Sequence, residues 1–116
     1  MSEIRQGQVY WLDFGPATGS APAERHPCVV VQNDIFNRSA IRTSVVCLIT
    51  SNPTMAKAPG NVLLKKGEAK LPKSSVVDVS QILTLDKAEL TECLGTLTGT
   101  AATAVRDGLH MPFDRP

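Results

Sequence analysis

Two runs constrain this chain more than anything else in it: Cys28-Val29-Val30-Val31-Gln32 and Thr43-Ser44-Val45-Val46-Cys47-Leu48-Ile49. Both are rich in β-branched residues, and both lack the polar alternation of a strand with one wet face. Strands of this kind belong in the middle of a sheet, buried on both sides. Asn33-Asp34 and Asn37-Arg38-Ser39, between the runs, are turn chemistry. A third strand, Gln8 to Phe14, precedes them and is stopped by Gly15-Pro16. Behind them come a brief strand at Asn61–Leu64 and a better-alternating one at Ser75–Leu83. In the latter, Val77, Val79 and Gln81 fall on one side, with Val76, Asp78, Ser80 and Ile82 on the other.

The period then changes. Asp86-Lys87-Ala88-Glu89 has the form of a capping box and predicts a short helix to about Cys93, stopped at Gly95. Thr98 to Leu109 predicts a second helix, with Ala101, Ala104, Val105 and Leu109 on one stripe. Residues 1–6 and 111–116 are expected to fray. The whole chain, 116 residues, reads as one domain, mainly β with a C-terminal helix (α+β), curled into a small helix-capped barrel.

Several function classes drop out. A net charge of +1 gives no global basic field, so a polyanion site has to be a local patch. Cys28, Cys47 and Cys93 form no CxxC pair and read as reduced thiols. No stretch is apolar enough for a signal peptide or a membrane span, so a cytoplasmic, soluble protein with no membrane partner is expected. His26 and His110 lie far apart and no ligand pair has zinc spacing, so no metal and no cofactor are expected. Neither a G-x-G-x-x-G, a Walker loop nor a nucleophile elbow is present.

What remains is the approach to the first buried run. Gly15 to Glu24 is a Gly, Pro, Ala, Thr and Ser loop of roughly ten residues, longer than the usual connection of about 4–6. It delivers Arg25-His26-Pro27 to the strand, with Pro27 keeping His26 extended. Combined with Gly7-Gln8-Val9-Tyr10-Trp11-Leu12-Asp13, Gly19-Ser20, Thr50-Ser51 and Ser80-Gln81-Ile82, this string resembles the MazF/PemK family of toxin endoribonucleases from bacterial toxin–antitoxin pairs. The likeness runs from about Gly7 to Leu109.

The resemblance implies an SH3-like or CcdB-like barrel working as a homodimer. It implies metal-independent cleavage of single-stranded RNA at short motifs, in which the 2′-hydroxyl attacks the adjacent phosphorus and leaves a 2′,3′-cyclic phosphate and a 5′-hydroxyl. It also implies inhibition of translation, and a cognate antitoxin whose acidic flexible tail folds along the toxin. The family's arginine before the strand proline is His26 here, with Arg25 one place earlier. Neighbours on an extended segment point opposite ways, which leaves two assignments. His26 takes the arginine's place as acid or base, or Arg25 turns in as a phosphate fork. Shared work is expected, with His26 moving the proton and Arg25 clamping the transition state. Thr50 matches the catalytic threonine. Gly19, Ser20 and Gln81 match the RNA groove, and loop cations such as Arg38 and Lys57 are expected to line it. Two alternatives stand beside this: a CcdB-like gyrase inhibitor, and a non-catalytic barrel module.

Overall fold

The two apolar runs become the central strands of one antiparallel sheet. The computed structural model describes residues 3–13 and 25–115. Its strands are β1 (Gln8–Asp13), β2 (Arg25–Val30), β3 (Thr43–Thr50), β4 (Val62–Leu64), β5 (Ser75–Asp86) and β6 (Glu92–Thr96), and its helices are α1 (Asp34–Asn37) and α2 (Gly99–Gly108). The strands lie in the order β4-β5-β3-β2-β1-β6, curled into a half-barrel, as expected of a mainly β chain with a C-terminal helix.

Burial on both faces follows from the alternation within β1, β2 and β3. Val9, Val29, Cys47 and Ile49 join one cluster with Leu64, Leu71, Val77 and Val79, and Val105 of α2 closes over it. Tyr10, Leu12, Cys28, Val30 and Val46 form a second cluster with Leu90. Each fully buried Val or Leu contributes about 1.5–3 kcal/mol.

Three expectations about local structure are corrected. Arg25 and His26 are not at a loop end but inside β2, paired with Asp13 and Leu12 of β1. The helix expected to reach Cys93 is a single 3-10 turn, Lys87–Glu89. Its capping box does form: Ala88 N–H donates to Asp86 Oδ1 at 2.9 Å, and Asp86 N–H to Glu89 Oε2 at 3.1 Å. The chain then straightens into β6 because the outer edge of β1 offers it a ladder, Tyr10 opposite Cys93 and Trp11 opposite Glu92. A helix that short has too few internal bonds to compete. Third, the alternation along β5 is interrupted. Cys47 pairs with Ile82 but Leu48 with Asp78, so Val79, Ser80 and Gln81 bulge out of the ladder. Val77, Val79 and Ile82 thereby all pack on the first cluster, which strict alternation forbids.

The ends expected to fray carry hydrogen bonds. Asp114 N–H donates to the His110 carbonyl at 2.9 Å. Near the other end, Gln6 N–H donates to Asp34 Oδ1 at 2.6 Å, and Asn37 Nδ2 reaches the same oxygen at 3.0 Å. Burial alone would push the Asp34 carboxyl up, but these donors, with Arg38 and Arg5 nearby, hold it below its ordinary value of 3.8. A lowered folded value means the stabilisation is complete above the unfolded value and is lost as the pH falls through the folded one. Asp34→Asn is therefore expected to cost about 1–2 kcal/mol in urea melts at pH 7. That difference should shrink as the pH falls from 3.8 through the lowered folded value, beneath which wild type is protonated as well.

Candidate active site

Strand alternation decides what faces what near the start of β2. Trp11, Asp13, Arg25 and Pro27 share one face, because Trp11 pairs with Pro27 and Asp13 with Arg25. His26 projects from the other face, the side of Leu12 and Cys28. Thr50, two residues beyond Leu48, and Asp78, paired with Leu48, fall on that same side. The result is an open groove of about 410 Å³, lined by His26, Leu48, Thr50, Asn52, Met55, Asp78 and Gln81 among others.

The bulge in β5 is what puts both Asp78 and Gln81 there. In a regular strand, three residues apart means opposite faces. Asp78 Oδ1 accepts from the Ser80 hydroxyl at 2.6 Å and from Ser80 N–H at 3.1 Å, closing the bulge on itself. The N–H of Val79, turned out of the ladder, donates to Asn61 Oδ1 at 2.9 Å. Asn61 Nδ2 in turn donates to the Met55 carbonyl at 2.9 Å, tying the bulge to the 3-10 helix Pro53–Lys57. Asn52 caps that helix, its side chain accepting from Thr54 N–H at 3.1 Å. The Asn52 N–H donates to Thr50 Oγ at 3.2 Å. With an acceptor position of Thr50 occupied, its O–H is directed to donate elsewhere.

Of the residues expected at the site, His26, Thr50 and Gln81 come together. Arg25 does not join them: on the far face its Nη2 meets Glu92 Oε2 at 2.7 Å and its Nε meets Asp13 Oδ1 at 3.5 Å. Arg38 lines a different cavity with Asn37, Lys87 and Leu90. It sits there because Lys87 Nζ donates to the carbonyls of Phe36, Asn37 and Ser39, holding that turn against the Asp86–Leu90 corner. Lys57 ends the 3-10 helix and is exposed. Gly19 and Ser20 lie outside the described residues. Asn52 and Met55 were missed as site residues, and Asp78, one of the polar residues of its strand expected to face the His26 region, was given no role. Met55 and Asn52 carry no local signal, while Asp78, a carboxylate amid apolar β-branched residues, was the signal that pointed to a special position.

Burial pushes the thiols of Cys28 and Cys47 up to about 12, so neither is a nucleophile. Among the described residues, no group of three or more His, Cys, Asp or Glu is arranged to hold a metal ion. No helix among them is long and apolar enough to cross a membrane.

The comparisons with known proteins agree with one another. Residues 5–112 match the family model of the PemK-like, MazF-like toxin of type II toxin–antitoxin systems. Endoribonuclease MazF6 of Mycobacterium tuberculosis is 40% identical over 111 residues, 96% of this chain and 97% of the relative. Endoribonuclease MazF of Staphylococcus epidermidis is 39% identical over 93% of this chain and 89% of its own. Among solved structures, a mycobacterial endoribonuclease in complex with its cognate antitoxin superposes with a TM-score of 0.74 at 26% identity, over 100% of this chain and 98% of that one. MazF of Deinococcus radiodurans gives 0.71 at 26% identity, over 97% and 98%. The chain belongs to the PemK-like, MazF-like family of type II toxin–antitoxin toxins.

Proposed function

We propose that this chain, as a MazF-family toxin endoribonuclease, cleaves single-stranded RNA without a metal, at the groove where His26, Thr50, Asp78 and Gln81 converge. That convergence is the observation carrying the reading. The 2′-oxygen attacks the neighbouring phosphorus as its proton leaves, and the bond to the 5′-oxygen breaks as that oxygen is protonated. The products are a 2′,3′-cyclic phosphate and a 5′-hydroxyl. This demands one group that takes a proton, one that gives a proton, and donors for the charge on the phosphorane. In this reading the Asp78 carboxylate takes the 2′-hydroxyl proton and His26 delivers one to the 5′-oxygen. The Thr50 O–H and the Gln81 amide donate to the non-bridging phosphate oxygens. Arg25, engaged by two carboxylates on the opposite face, leaves this chemistry to His26.

The cellular consequence is arrest of translation in the cytoplasm, held in check by a cognate antitoxin. A homodimer and an acidic antitoxin tail competing with RNA fit the family. Such competition should weaken with added salt, because exposed charges are screened within about 10 Å at 0.1 M.

Incubating the protein with single-stranded RNA in excess chelator, then mapping the new 5′ ends and their 3′-terminal phosphates, tests the chemistry. Cyclic phosphates and 5′-hydroxyls are expected. Thr50→Val should lower kcat by about 10²-fold, the scale of losing one donor to developing charge. Absence of cleavage, or cleavage lost to chelator, would overturn the reading.

A further inference from the structure

Arg25 is held by more partners than a surface arginine needs. Its guanidinium lies over the Trp11 ring, 4.8 Å from the ring centre. Glu92 and Asp13 grip its edge at 2.7 and 3.5 Å. One face of the plane is thus covered by indole and its rim is occupied, while the side chain as a whole remains 44% exposed. Exposed ion pairs contribute little to folding, about 0–1 kcal/mol each, so stability does not account for the arrangement. What it does produce is a flat, delocalised surface fixed in orientation.

Beside that surface is a second cavity, of about 210 Å³, lined by Arg25, Trp11, Pro72, Lys73, Ser51 and Ser75. His26 and Ile49 line both this cavity and the catalytic groove, so the two are contiguous around the start of β2. We propose that Arg25, laid on Trp11, is a stacking platform for one nucleobase of the RNA substrate, the base next to the phosphate held at His26 and Thr50. This rests on the endoribonuclease reading above.

Two features select a base over a phosphate. The Nε and Nη2 of Arg25 are already committed to Asp13 and Glu92, which leaves the guanidinium a poor fork for a phosphate while its uncovered face stays available. Bases, by contrast, stack on guanidinium planes as well as on aromatic rings. Lys73 also lines the cavity, a cation for the backbone of the stacked nucleotide, and the exposed Ser51 offers a hydroxyl to a base edge, whereas the Ser75 hydroxyl is already spent on the Lys73 carbonyl at 2.9 Å. Arg25 is in this account a specificity-determining residue, and the hydrogen-bonding atoms around it would set which base is preferred.

The test uses single-stranded RNA oligonucleotides carrying one abasic nucleotide at each position in turn around the cleaved bond. Wild type should show one position, adjacent to that bond, where base removal raises KM about tenfold with kcat little changed, the scale of one lost stacking contact. In Arg25→Met, intact RNA should already have the raised KM, and removing that base should add nothing further. Arg25→Lys should behave like Arg25→Met, because it keeps the charge and loses the plane. Trp11 is the sole tryptophan, so its emission should change when an oligonucleotide made uncleavable by a 2′-deoxy sugar binds, and not when the critical base is absent. An abasic penalty that persists unchanged in Arg25→Met overturns the proposal, as does an Arg25→Lys enzyme with wild-type KM. Arg25 variants that lose affinity for an acidic peptide while keeping their KM for RNA would assign the cavity to a protein partner, and also overturn it. Failure of wild type to cleave intact RNA would defeat the underlying reading, an outcome distinct from all of these.

Discussion

His26→Ala is expected to lower kcat for RNA cleavage by about 10²–10⁴-fold, the range for losing a positioned proton-transfer group. KM should change little, because the loss falls on the transition state and not on uniform binding. The fold should persist: His26 is exposed at the mouth of the groove, and the β2 ladder it sits in is made by backbone groups paired with β1. Unchanged thermal unfolding alongside lost activity is the signature to look for. His26→Arg places at that position the residue that the family pattern carries there. It supplies donors for the phosphorane but no group that titrates near neutral pH. Its activity should exceed that of His26→Ala and stay below that of wild type. Cleavage by His26→Ala at the wild-type rate would remove His26 from the mechanism.

The largest effect on stability is expected at Gly60. Its φ is +79°, a conformation that a side chain resists, and a Cβ there would stand 2.6 Å from the Gly108 carbonyl and 2.9 Å from Met111 Cβ. Gly108 meets the Gly60 carbonyl in the same way, so this is a backbone-to-backbone contact between the turn before β4 and the end of α2. The Met111 side chain can shift, but the two facing carbonyls are backbone and cannot move aside without moving the turn or the helix end. Gly60→Ala combines overpacking with left-handed strain and should cost about 2–4 kcal/mol. For a chain of this size, that is a fall in Tm on the order of 10 °C or more. The damage should reach the active site as well. Asn61, the next residue, holds both the bulge at Val79 and the carbonyl of Met55. Displacing it loosens the segment that presents Asp78 and Gln81 to the groove. Measured below its melting transition, Gly60→Ala should show reduced kcat, whereas a mutation confined to α2's exposed side should not.

How much of this was legible before folding depended on whether the information was local. The buried strands were, because β-branched runs without alternation have one stable destination, the middle of a sheet. So was α2: Thr98 caps it, accepting from Ala101 N–H at 3.3 Å, and its apolar stripe places Val105 in the core. The capping box at Asp86 was also read correctly, yet the helix it announces never grows. A cap satisfies the donors of a first turn but says nothing of a waiting strand edge. β6 exists because β1 needs a neighbour, and that is a fact about residues some 80 positions away.

The site divides along the same line. By itself the sequence determined which candidate residues are present and where they cluster along the chain: a basic pair ahead of a buried strand, a threonine at the end of the next, a glutamine late in β5. Local composition and spacing are enough for that, and the resemblance to a toxin family supplied the reaction. Which member of the basic pair faces the groove was decided only by tertiary structure. Arg25 and His26 differ by one place, and in a strand one place is the whole difference between faces. The choice depends on where the ladder with β1 begins, and the pairing of Asp13 with Arg25 begins it one residue earlier than a loop would. Asp78 and Gln81 sharing a groove was likewise undecidable from spacing, because three residues in a strand separate faces. They unite through a bulge held by Asn61, 18 positions away from the N–H it receives.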